Sequence, residues 1–217
     1  MASLSLFPSE PGGVPDSVAA RDRWRTPAGV WRAPLVLLGR DRYDLDAAAE
    51  PDAHVADHYI TAEQNALTTP WGPRIPGWHE QLVDREVEAL PLCWLNFPFS
   101  ADAGGKGVWA DRAAEQADTG LCVAFYGPLY ADYACAEVPV RGPCCILIAG
   151  RVRHIAPPGV KASTPAQHPH AITLLMPPAA REDWRRRHLD QLLVWDHKAQ
   201  AWSYREPVAL DDRPTTI

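Results

Sequence analysis

The chain holds only three lysines, Lys106, Lys161 and Lys198. It contains no C-x-x-C pair, no G-x-G-x-x-G, no G-x-S-x-G, and no apolar run near the ~20 residues that a membrane-spanning helix needs. The longest apolar stretches, APLVLLG and CCILIAG, are strand-sized. No membrane association is expected. The opening MASLSLFPSEPGG has no basic start, and its apolar run breaks at Pro8, so the expected location is cytoplasmic rather than secreted.

The five cysteines, Cys93, Cys122, Cys135, Cys144 and Cys145, are an odd number and suit no closed set of disulfides. Most stand in apolar runs, where a reduced cysteine behaves as a small buried hydrophobe. Cys135, in DYACAEV, has polar neighbours and is the best candidate nucleophile, with His154 a conceivable base. GGKG at 104–107 lacks phosphate-loop spacing and reads as a loop.

A basic excess is also missing: the net charge is −6 with a pI near 5.7. Arginines gather at 21–42 and in WRRRH at 184–188, but acidic residues accompany the first cluster, and both read as solvated faces. This balance argues against nucleic acid as a partner.

What the chain does have is proline and tryptophan. There are 22 prolines, and 9 tryptophans outnumber 6 tyrosines. Residues 1–20 carry Pro8, Pro11, Gly12, Gly13 and Pro15 without helical or strand period, and read as an extended N-terminal arm. Residues 21–217 read as a single domain. A hairpin is expected around TPAG, leading to a strand at 35–38. Asp52 can cap a helix over 52–67 whose apolar residues fall on one face. A proline-rich loop covers 68–77, and a helix is expected at 78–89. LCWLNFPF reads as a strand, and VWADRAAEQAD as a helix ended by Gly120. LCVAFYG, YACAEVPV, CCILIAGRVRHIA and AITLLM read as strands, PPAAREDWRRRHLDQL as a helix, and LLVWDHKAQAWSYRE as a hairpin. The expected class is α+β: a β-rich centre forming an antiparallel sheet, with three to four short helices.

Histidines carry the candidate metal chemistry. In AQHPHAITLLMPP, His168 and His170 are two apart, and in a strand both would face one side. His154, from a neighbouring strand, could complete a three-histidine site with Glu137 or Asp132. Against this, Pro169 removes a backbone donor between the two, and no carboxylate stands close by, so the simpler reading is a polar loop with exposed histidines. His54 and His58 share a helical face, but Val55 holds the place where a zinc protease has glutamate.

Tryptophans near turns suit docking on a protein partner, with Trp24, Trp31, Trp71 and Trp78 the candidate contacts. The leading expectation is a non-enzymatic component of a larger assembly, acting by protein–protein contact or self-assembly, with no cofactor. The alternative is a metal-dependent enzyme or metal-binding protein using His154, His168 and His170. Whether the chain is an enzyme stays open on sequence alone.

Overall fold

The computed structural model describes residues 24–81, 90–98, 105–128, 145–156, 168–188, 192–196 and 201–205. The arm at 1–20, the segment YACAEVPV, and Cys135, Glu137, Asp132 and Cys144 lie outside the described residues.

Five strands form one sheet: β1 (Leu45–Asp46), β2 (Leu92–Asn96), β3 (Cys122–Pro128), β4 (Cys145–Gly150) and β5 (His170–Leu175), in the order β1-β2-β3-β5-β4. β1, β2 and β3 run parallel, and β5 is antiparallel to both β3 and β4. The α+β class holds, but the sheet is mixed rather than antiparallel. The physical reason is the helix at Gly105–Asp118, which returns the chain to the starting end between β2 and β3, so those two strands must be parallel. Strands buried on both faces read as continuous apolar runs, and LCWL and LCVAFYG do so.

The helices are α1 (Ala28–Trp31), α2 (Ala33–Leu37), α3 (Trp78–Gln81), α4 (Gly105–Asp118) and α5 (Pro178–His188). A separate hairpin pairs β6 (Leu192–Asp196) with β7 (Ala201–Arg205). The strand expected at 35–38 is helical instead. Pro34 sits in the first turn of α2, where its missing N–H costs nothing, and Val30, Pro34 and Leu38 share a buried face at spacing four.

The helix expected over 52–67 is also absent. The chain there runs beside β1: the Asp46 N–H donates to the His58 carbonyl, and the Ile60 N–H donates to the Asp46 carbonyl, each at 2.9 Å. This covers the free edge of β1 and still buries Ala56 and Ile60, the spacing that looked helical.

Each face of the sheet carries its own core. Tyr43, Trp94, Ala124, Tyr126, Ile172 and Leu174 pack on one side with α1, α2 and α5. Leu45, Leu95, Phe97, Val123 and Phe125 pack on the other with Trp71 and α4. No described helix is long and apolar enough to cross a membrane.

Candidate functional site

In an open sheet of parallel strands, ligands bind beyond the carboxyl ends of the strands. β1 ends at Asp46 and β2 at Asn96. Register pairs Asp46 with Trp94, so Asn96 projects from the same face, one step further out. A cavity of about 380 Å³ lies there. Asp46, Glu50, Asp52 and His54 give it polar and acidic walls, and Trp24, Trp31 and Trp94 line it with indoles.

Two buried polar atoms among its lining residues, Asn96 Oδ1 and Thr26 Oγ1, have no hydrogen-bond partner among the described residues. A buried orphan acceptor costs about 1–3 kcal/mol.

Asp46 is built in more tightly. Its carboxylate accepts the Val55 N–H at 3.1 Å and the Ala48 N–H at 3.4 Å. Burial pushes its pKa up to about 6, against the opposing pull of those two N–H groups and of nearby His54. His54 stacks on Tyr59 with ring centres 4.4 Å apart and donates its Nδ1–H to the Ala56 carbonyl.

The cavity has a lip made by a short strand pairing. Arg25 and Ile155 exchange two backbone hydrogen bonds of 3.0 and 2.9 Å, and Arg25 reaches Asp52 at 3.0 Å. Both Arg25 and Ile155 line the cavity.

On the same face of the sheet, an aromatic row runs inward from the cavity wall. Trp94 stacks on Tyr126, and Tyr126 on His170, with ring centres 5.7 and 5.2 Å apart. Tyr126 and His154 are hydrogen-bonded at 3.0 Å. Burial lowers the pKa of both His154 and His170 to about 4, so the pair is neutral.

Of the three histidines read as a metal set, the structure thus brings His154 and His170 together, with ring centres 5.0 Å apart. His168 is exposed and offers its backbone carbonyl to His170 Nδ1–H. His170 is the buried first residue of β5, not part of an exposed loop. Among the described residues, no group of three or more His, Cys, Asp or Glu is placed to hold a metal ion.

The four tryptophans read as partner contacts have separate places. Trp24 and Trp31 line the cavity. Trp71 is fully enclosed, and its indole N–H donates to the Ala66 carbonyl. Trp78 lies over Gly72.

A family model for DNA N-6-adenine-methyltransferase (Dam) matches residues 15–123. That is just over half of the 217 residues. The chain belongs to the Dam family. The match contains every cavity-lining residue except Ile155. No curated protein matches the chain.

Membership overturns two expectations. A Dam-family chain is a DNA-modifying enzyme by kinship, not a structural component of an assembly, and DNA enters as its partner. The net charge misled because it sums over the whole chain, whereas a base is engaged by one pocket and its rim. Asp46 and Asn96 were missed as site residues. The available signal was a polar residue closing each of two apolar strands, LD and LCWLN.

Proposed function

We propose that the protein methylates the exocyclic N6 amine of adenine in DNA, using an activated methyl donor of the sulfonium class. The carrying observation is Asn96, which lines the cavity at the end of β2 within the stretch matched to the Dam family and whose buried side-chain oxygen has no hydrogen-bond partner among the described residues. An adenine amine is a weak nucleophile because its lone pair is delocalised into the ring. An amide oxygen accepting one of its N–H bonds draws the nitrogen towards a tetrahedral, nucleophilic form, and positions it. Asn96 holds such an acceptor in a desolvated place, with no competing partner among the described residues.

The cavity also suits the donor. When bound, a sulfonium donor would supply the electrophilic methyl group and leave as a neutral thioether, while the methylated amine gives up one proton to solvent. Asp46, Glu50 and Asp52 match its positive charge and hydroxyls, and the indoles of Trp24, Trp31 and Trp94 match flat rings and cations. The target base must leave the helix to reach such a pocket.

The test is to incubate the purified protein with unmethylated duplex DNA and S-adenosylmethionine, digest the DNA to nucleosides, and measure N6-methyladenine by mass spectrometry. Time-dependent N6-methyladenine supports the reading. Methylation of cytosine, or of no base across many DNA sequences, overturns it.

A further inference from the structure

The segment 151–155 alternates strictly. Val152 is buried and His154 half-buried, whereas Arg151, Arg153 and Ile155 are exposed. Period two puts the last three on one outward face. The antiparallel bridge sets Arg25 directly opposite Ile155, so a third basic residue joins that face from the facing segment. Ile155 is 52% exposed, one of three large apolar residues so placed among the described residues. Unlike Val36 and Val108, it stands on the lip of the cavity.

An exposed isoleucine bordered by arginines at a pocket mouth has a physical use in duplex DNA. Extruding a base leaves a gap in the stack, and apolar side chains are the type that enter base steps. Arginines beside it match phosphates. Arg153 has no ion-pair partner among the described residues, while Arg25 is held by Asp52 and so keeps the lip in place. Ile155 also lies outside the stretch matched to the Dam family, so its role here comes from its own placement.

We propose that the 151–155 lip docks on duplex DNA, with Ile155 as the positioning wedge that fills the space left by the extruded adenine, and Arg153 on a neighbouring phosphate. This rests on the adenine-methylation reading above. It predicts a strand requirement: the wedge matters only where a stack must be opened.

The experiment compares Ile155→Ala with the unaltered protein on one long DNA, either native duplex or heat-denatured and kept single-stranded. The readout is N6-methyladenine per unit time. The backbone bridge survives the change, so the fold is kept; circular dichroism and a melting curve verify this. The expected result is a loss on duplex DNA about tenfold or more greater than any loss on the single strand. Arg153→Gln should lower the salt slope of duplex binding, log Kd against log salt, by about one. Equal rates for Ile155→Ala and the unaltered protein on duplex overturn the wedge, and so does an equal loss on both DNA forms. If the unaltered protein methylates neither form, the adenine reading itself fails, and the wedge with it.

Discussion

The hydroxyl of Tyr126 lies 3.0 Å from Nε2 of His154, and the His170 ring packs against both side chains. Tyr126 and His170 are buried and His154 half-buried behind the cavity wall, since Tyr126 also stacks on Trp94. Burial holds both histidines near pKa 4, below their ordinary 6.5. A depressed folded-state pKa contributes stability that is complete above 6.5 and is lost as pH falls towards 4. The stability of the protein should therefore fall across that window. His170→Gln removes one of the two groups. Urea unfolding at pH 7.5 and at pH 4.5 should show the advantage of the unaltered protein over His170→Gln shrinking by on the order of 2 kcal/mol at the lower pH. An advantage that stays constant would contradict the neutral buried pair.

Asp46 has the opposite sign. Its folded pKa of about 6 stands above the ordinary 3.8, so its burial favours the protonated form. Its contribution to stability is present below about pH 4 and is lost as pH rises through 6. The protein thus keeps a carboxylate at neutral pH at a cost to the fold, as ligand sites often do. A cationic donor offsets that cost by binding the charged form. Calorimetric affinity for S-adenosylmethionine should rise steeply between pH 5 and 7, and Asp46→Asn should be weaker and flat across the same range. An affinity independent of pH in the unaltered protein would remove Asp46 from the donor site.

Asn96 separates stability from function more sharply. Its orphaned oxygen costs the unliganded fold about 1–3 kcal/mol. Asn96→Ala should leave the melting temperature unchanged or raised, while lowering the methylation rate about 100-fold or more. A variant that loses activity and stability together would mark Asn96 as structural.

The same residues show what was legible beforehand. β2, β3, most of α4 and the hairpin β6–β7 were readable because each is a continuous apolar run or a periodic stretch closed by a breaker, such as Gly120 at φ 112°; the first turn of α4, from Gly105, lies in GGKG, which read as a loop. The segment 52–67 was not. Ala56 and Ile60 are four apart and suit a helix, but the edge of β1 offered backbone partners that a lone helix could not use. The site was hidden for a related reason. Asp46 and Asn96 are 50 residues apart in sequence, and only the parallel pairing of β1 with β2 makes them neighbours. Periodicity reports faces, not which strand lies beside which.

Trp71 and Trp78 looked like contact residues in the sequence, and their packing gives a different expectation. Trp71 is fully buried; its backbone N–H donates to Gln116 Oε1 and its indole N–H to the Ala66 carbonyl, each at 2.9 Å. Trp71→Ala should cost about 3–5 kcal/mol, the scale for emptying a large aromatic site. Trp78 covers Gly72 so closely that a Cβ at Gly72 would stand 2.6 Å from its ring. Gly72→Ala should therefore destabilise by about 1–3 kcal/mol through overpacking. Gly72→Ala and Trp78→Ala should not add. Once Trp78→Ala has removed the indole, Gly72→Ala should cost little, because the atoms it would strike are gone. Thermal unfolding of the four proteins in that cycle measures the coupling directly. Additive effects would show that the indole does not rest on Gly72 and leave Trp78 available for an outside contact.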